Sequence, residues 1–210
     1  MIYRLAEKKD YLDLAYIHSQ AFQGFFLTSL GIGFLQTYYK SVLNNEQSIA
    51  VCAEDQGGKI LGFASGSLKA ANYHRNLFAK NWVAFLFAAL KSALSNPGVL
   101  FRLAKNLDKN PNKNDDRNYA ELLSIAILPQ LKGSGTGKAL LEHFEAEVLK
   151  RGGKKVALTT DYNNNDRVIA FYQKCHYEIF YDFITYPNRH MYKMIKTLRE
   201  VEDVEGVEDV

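Results

Sequence analysis

Ile127-Leu128-Pro129-Gln130-Leu131-Lys132-Gly133-Ser134-Gly135-Thr136-Gly137-Lys138-Ala139-Leu140-Leu141 is the stretch on which the fold turns. It reads as the end of an apolar strand stopped at Pro129, a glycine-rich loop, and the first turns of a helix. Glycines at 133, 135 and 137 let the backbone approach a ligand closely and turn successive N–H groups into one concavity. A helix starting there adds its unpaired amides and the positive end of its dipole. Lys132 and Lys138 supply further charge. The segment is an anion cradle, and a pyrophosphate is its natural occupant.

Two nucleotide-binding motifs fail against these letters. A P-loop, GxxxxGK[ST], matches Gly137 and Lys138, but its first glycine falls on Lys132 and its metal-binding hydroxyl on Ala139. A dinucleotide fingerprint, GxGxxG, fits Gly133 and Gly135 but requires glycine where the chain has Lys138. A bare strand-to-helix turn needs fewer glycines than this basic frame holds.

Outward from the loop the chain alternates strand and helix signals. Upstream, Tyr119 to Leu128 reads as its strand. Downstream, helix runs from about Gly135 to Lys150 and stops at Gly152 and Gly153, and Lys155 to Thr160 returns to strand. Asp166 to Cys175 is a short helix capped by Asn164 or Asn165. Strands near Tyr177 to Thr185 and His190 to Lys196 follow. At the other end, Ile2 to Leu5 is a short strand, and Tyr11, Leu12, Leu14, Ala15, Ile17, His18 and Phe22 recur at helical spacing. Phe25 to Val42 reads as a second helix with Thr28 or Ser29 near its start. Ser48 to Glu54 and Lys59 to Leu68 are strands joined as a hairpin through Gln56-Gly57-Gly58.

Residues 69–118 place about fifty residues where a hairpin turn would do, and two helices are predicted there. The apolar run Trp82 to Leu90 is far shorter than the roughly twenty residues of a spanning helix. Packing on its own domain or on a dimer partner is its expected role. With Lys80, Lys91, Arg102 and Lys105 nearby, membrane contact through residues 72–107 is the alternative.

Bulk properties agree with one globular domain over residues 1–197: 210 residues, 47% hydrophobic and 23% charged. The first residues show no basic region followed by an apolar core, so a cytoplasmic location is expected. Cys52 and Cys175 have no metal-ligand spacing, and no metal is expected. Within the acidic tail 198–210, expected to be disordered, six acids and no base follow from Glu200. Without those six acids the body is more basic than the overall +3. That charge suits a polyanionic cofactor, nucleic acid or an anionic membrane equally.

The residues from Ile127 resemble motif A of the GNAT N-acetyltransferase superfamily, with Pro129, a basic position at Lys132, and small residues at Gly133, Gly135 and Gly137. Lysine at 132 keeps the usual charge but loses the planar fork of arginine. A second stretch, Asn165-Asp166-Arg167-Val168-Ile169-Ala170-Phe171-Tyr172-Gln173-Lys174-Cys175-His176-Tyr177, resembles the family's motif B. It departs at Val168, at Tyr177, and at His176, which stands where the family ends the helix on a left-handed glycine.

The resemblance implies an α/β GNAT fold: a mixed central sheet splayed between its fourth and fifth strands, flanked by helices, with a helical insertion before the fourth strand. It implies acetyl-CoA as co-substrate and direct acetyl transfer to a primary amine in a ternary complex. The expected acceptor is a small molecule, an amino sugar or amine. A protein lysine or N-terminus, or a noncatalytic acyl-CoA sensor, are the alternatives. No nucleic-acid partner is expected, and the chain is expected as a monomer or homodimer.

By the same analogy Ile125, Ala126 and Ile127 offer backbone to the pantetheine arm, while Lys132, Gly133, Ser134, Gly135, Thr136, Gly137 and Lys138 hold pyrophosphate. Asn165 borders the cofactor. Glu121 is the implied base, and strand parity puts it with Leu123, Ile125 and Ile127 on one face. A solvated carboxylate at the strand's exposed start is the other reading. Asp161 is the substitute base and an acceptor contact. Tyr172 is the implied acid for the departing thiolate. His18, Phe22 and Phe25 lie where the family's first helices border the acceptor, although core packing explains them as well.

Overall fold

The computed structural model describes residues 1–95, 115–185 and 188–199. Its elements in chain order are β1 (Ile2–Leu5), α1 (Tyr11–Ala21), α2 (Phe26–Ser29), α3 (Ile32–Leu43), β2 (Ser48–Glu54), β3 (Ile60–Ser67), α4 (Tyr73–Lys80) and α5 (Trp82–Ser95). After the insertion come β4 (Ala120–Ile127), α6 (Thr136–Lys150), β5 (Lys155–Asp161), α7 (Asp166–Lys174), β6 (Glu178–Thr185) and β7 (Arg189–Thr197).

The strands form one sheet of seven in the order β1-β2-β3-β4-β5-β7-β6. Every pairing is antiparallel except that of β4 with β5. A parallel pair cannot be joined by a tight turn, and α6 supplies the crossover. The β2–β3 hairpin closes where predicted: Asp55 Oδ1 accepts from the Gly57 and Lys59 amides at 2.9 and 3.0 Å, and Gly58 takes φ +83°.

Helices cover both faces, which is why β2 is buried along almost its whole length. On one face α1, α3 and α5 pack Leu14, Phe34, Leu35, Tyr39 and Phe85 against Cys52 and Phe63. On the other, α6 packs Leu140, Leu141, Phe144 and Val148 against Ile49, Val51, Leu122, Val156 and Leu158. Glycines in β3 let α6 sit this close. A Cβ at Gly66 would lie 2.7 Å from the Phe144 ring and collide with the Glu121 carbonyl, and one at Gly62 would lie 2.8 Å from Ile127.

Opposite Gly66 the β3–β4 register slips by one residue, from Ser65↔Ser124 to Gly66↔Leu122, leaving Leu123 as a bulge. The bulge corrects the parity expected for β4. Leu123 packs with Ala126 and Leu128 on the α1/α3 face, while Ile125 and Ile127 face α6 together with Leu122. An extra residue inverts the alternation, so Glu121 shares no face with Ile125 and Ile127.

The stretch read as one helix from Phe25 to Val42 is two. Gly31, at φ +86°, donates its amide to Thr28 O to end α2, and its carbonyl accepts the Leu35 amide to begin α3. Thr28 and Ser29 therefore sit in the last turn of α2 rather than at a helix start, with Ser29 Oγ donating to Phe26 O at 2.6 Å. In the insertion, α5 packs Phe85 against Phe34 and Phe78, with ring centroids 5.5 and 4.4 Å apart. Its outer side leaves Trp82 and Phe87 exposed, at 63% and 68%. Among the described residues no helix is long and apolar enough to cross a membrane. Arg102, Lys105 and the acidic tail from Glu200 lie outside the described residues.

Candidate active site

The pairing of β4 with β5 stops at Leu122↔Leu158. Beyond it β4 continues to Ile127 bound only to β3, and β5 continues to Asp161 bound only to β7. The strands splay, and a cavity of about 610 Å³ opens between them. Ile125, Ala126 and Ile127 line one wall, with the edge of β4 that faces β5 outside the ladder. Thr159, Thr160 and Asp161 line the other. Gly137, Asn165 and Tyr172 border it from the α6 and α7 side, and His18, Phe22 and Phe25 from the α1–α2 side.

The glycine loop meets the cavity at Gly137. Gly133 and Gly135 take φ +83° and +82°, a backbone that favours glycine, and Gly135 is the residue from which α6 starts. At all three glycines a Cβ would project into open space. The first amides of α6 have no acceptor within the helix. Ser134 Oγ shapes the turn by donating to Leu131 O at 2.7 Å and lies 2.8 Å from the buried Thr136 Oγ1. Lys132 and Lys138 are exposed beside it, and Lys138 Nζ lies 3.5 Å from Glu142. Lys132 through Thr136, and Lys138, thus surround the helix start without forming the cavity wall, a shape that fits an elongated anion entering along α6.

Asn165 precedes α7, but its side chain does not cap the helix. Its Nδ2 donates to Thr160 Oγ1 at 2.7 Å and to Asp161 O at 3.0 Å, fastening the helix start to the end of β5. His176 takes φ +67° in the place of the expected left-handed glycine, so the turn keeps its shape with a side chain that adopts it at some cost. Tyr172 is buried, against Phe171 and Tyr177. Burial, and after it the neighbouring Cys175, push its phenol well above the ordinary tyrosine range, so it stays a proton donor at neutral pH. Burial also pushes up the Cys175 thiol, which leaves little thiolate.

Glu121 is neither solvated nor on the cavity wall. Its carboxylate is buried, accepts from Lys193 Nζ, and has the Arg117 guanidinium 4.0 Å away. Lys193 also lies over the Tyr119 ring, at 5.1 Å. Asp161 does reach the cavity, and Arg189 holds both its oxygens, Nε on Oδ1 and Nη2 on Oδ2 at 2.5 Å. Arg189 was not anticipated. Nothing in the hairpin before β7 marks it, because its partners Asp161 and Phe25 are distant in the chain.

His18 is buried, with Nδ1 2.7 Å from the Tyr39 hydroxyl and no hydrogen-bond partner for Nε2 among the described residues. Burial lowers its pKa to about 4, so the imidazole is neutral at physiological pH.

Comparison with known proteins follows the same lines. A model of the acetyltransferase (GNAT) family matches residues 14–177, more than half of the chain. No curated protein matches its sequence. Among solved structures, the ribosomal-protein-S18-alanine N-acetyltransferase from Escherichia coli has a TM-score of 0.61 at 16% identity, covering 97% of this chain and 97% of that one. Aminoglycoside 6'-acetyltransferase type Ii gives 0.60 at 17% identity, over 95% and 99%. Naa20 from Chaetomium thermophilum, solved with a bisubstrate analogue, gives 0.53 at 19% identity, over 100% and 93%. At such identities the structures speak for the fold alone, a splayed mixed sheet with flanking helices. Together with the family match, that fold leads to one conclusion: the chain belongs to the acetyltransferase (GNAT) family and is an acyltransferase.

Proposed function

We propose that this protein transfers the acetyl group of acetyl-CoA to a primary amine of a small molecule, directly, with both substrates bound in the cavity between β4 and β5. The continuity of that cavity, from Gly137 at the glycine loop to His18 and Phe25 at the α1–α2 turn, carries the reading. A thioester arriving at one end and an amine at the other meet beside the strand edges. The cavity's volume falls in the roughly 300–1,000 Å³ range of small-ligand sites.

Lys132 to Lys138 would hold the pyrophosphate, by amides at the start of α6 and by lysine charge. The free edge of β4 at Ile125, Ala126 and Ile127 would pair with the pantetheine arm, and Asn165 keeps the opposite wall in place through β5. When bound, acetyl-CoA supplies an activated acyl carbon: the amine nitrogen bonds to it, the C–S bond breaks with its pair on sulfur, and one proton passes from nitrogen to sulfur. Unpaired backbone amides in the splay suit the developing oxyanion. Tyr172 is the proton donor to sulfur.

Glu121, held by Lys193 and Arg117, takes the base role only through intervening water, and Asp161 only with Arg189 displaced. Loss of a proton from the amine is therefore assigned chiefly to the site's low polarity, which disfavours the ammonium form.

Thiol release measured with acetyl-CoA across small amines, amino sugars and peptides tests the reading. Turnover of small amines is expected. Coenzyme A binding without turnover of any acceptor would instead mark a sensor, and turnover of peptides alone a protein acetyltransferase.

A further inference from the structure

The acceptor end of the cavity is aromatic, and its charge is closed on itself. Phe22 and Phe25 meet edge to face with centroids 5.4 Å apart, and the His18 ring lies 4.6 Å from Phe22. Phe26 and Leu27, from the start of α2, complete this side. Asp161 is the one carboxylate among the described lining residues. Both its oxygens are taken by Arg189, and that guanidinium lies 4.7 Å from the centre of the Phe25 ring. One ion pair thus ties the end of β5 to β7 and, through the ring, to the α1–α2 turn. The remaining titratable group on this side, His18, is neutral.

Such a wall sorts acceptors by chemistry. A polycationic amino sugar needs an unpaired carboxylate or water for each ammonium, and removing an ammonium from water without a partner is strongly unfavourable. A peptide brings backbone donors and acceptors that aromatic side chains leave unsatisfied. An amine on an aromatic body buries apolar surface and packs its ring edge to face with those present. The same surroundings favour its neutral, nucleophilic form.

On the reading that this cavity hosts acetyl transfer, we propose that the acceptor is a primary amine on an aromatic or similarly apolar body, an arylalkylamine in class. Its ring seats against Phe22 and Phe25, and the Arg189 clasp on Asp161 denies a second positive charge its counter-ion.

The test uses the full chain with saturating acetyl-CoA and compares kcat/KM for 2-phenylethylamine, glucosamine, a polyamino sugar such as kanamycin, and a short peptide with a free N-terminus. Phenylethylamine is expected to lead by about tenfold or more, the scale at which apolar pockets discriminate. A lead for either sugar or for the peptide overturns the acceptor class while leaving acetyl transfer intact. Turnover of no amine, with coenzyme A still bound, defeats the underlying reading instead.

Two substitutions sharpen the outcome. Phe25→Ala is expected to raise KM for phenylethylamine about tenfold and leave KM for acetyl-CoA unchanged, whereas a folding defect would move both. Arg189→Ala frees the Asp161 carboxylate, so the preference for phenylethylamine over kanamycin is expected to narrow. An unchanged or widened ratio in a folded Arg189→Ala protein counts against the clasp.

Discussion

His18 is an imidazole kept neutral by its surroundings, and that has a consequence for stability. Its pKa in the fold is about 4, against 6.5 in the open chain, so the unfolded state binds its proton first as pH falls. The neutral histidine's contribution is intact above pH 6.5 and is lost as pH drops toward 4, by up to about 3 kcal/mol. Urea titrations at pH 7 and pH 5 should show this decline in the native protein and a shallower one in His18→Phe. Parallel pH dependences in the two proteins would remove His18 as its source. Tyr172→Phe deletes the proposed donor while keeping the ring, so turnover should fall by roughly 10²-fold with coenzyme A affinity nearly unchanged. Unchanged turnover would take Tyr172 out of the mechanism. These residues differ in how far they could be read from sequence. Tyr172, which lines the cavity, could be singled out because its register from Asn165 is local, one short helix. Arg189 on Asp161 and Lys193 on Glu121 pair across 28 and 72 residues, and no spacing rule reaches that far.

Helices and strands were legible where periodicity was strong, and their interruptions were not. The β2–β3 hairpin, the β4–loop–α6 passage and α7 fall within a residue or two of their predicted bounds. Missed were the Leu123 bulge and the break at Gly31, each a single residue that changes direction without disturbing the apolar pattern around it. The bulge lies beside the last β4–β5 pair, so it belongs to the geometry that opens the cavity. Gly66 keeps it in place by letting the Glu121 carbonyl and Phe144 approach. Gly66→Ala is expected to destabilise the protein by about 1–3 kcal/mol, the usual cost of overpacking a filled core, read as a lower urea midpoint. Because the strain falls on β4, coenzyme A affinity should weaken too. A variant as stable as the native protein would show that β3 and α6 separate easily. Gly31→Ala meets open space, but it forces a Cβ onto an extended backbone of positive φ (φ +86°, ψ 164°) that is almost exclusive to glycine, and should lower stability by about 1–3 kcal/mol in a urea titration.

At the scale of the whole molecule, the sheet is held together across its middle by three residue pairs, Ala120↔Val156 to Leu122↔Leu158, with the splay open beyond them. One half carries β1 to β4, and the other carries β5 to β7. A ligand in the cavity, lying between the edge of β4 and Thr159 to Asp161 of β5 with its anionic end at the start of α6, bridges that weak seam. Binding to the folded state alone raises stability by about 2.7 kcal/mol at a hundredfold excess over Kd. For a chain of this size that corresponds to a rise in Tm of roughly 5–10 °C. Coenzyme A is therefore expected to raise Tm by that amount, and acetyl-CoA similarly, since the loop binds the portion they share. Gly135→Asp is the control that assigns the effect. Aspartate is among the residues that tolerate the left-handed backbone at 135, and its side chain enters open space, so the fold should survive. Its charge, however, faces the proposed pyrophosphate. The thermal shift with coenzyme A should disappear in Gly135→Asp, while its Tm without ligand falls by a few degrees at most. A full shift in that variant would mean that the loop from Lys132 to Lys138 is not where the anion sits, and the seam would have to be bridged elsewhere.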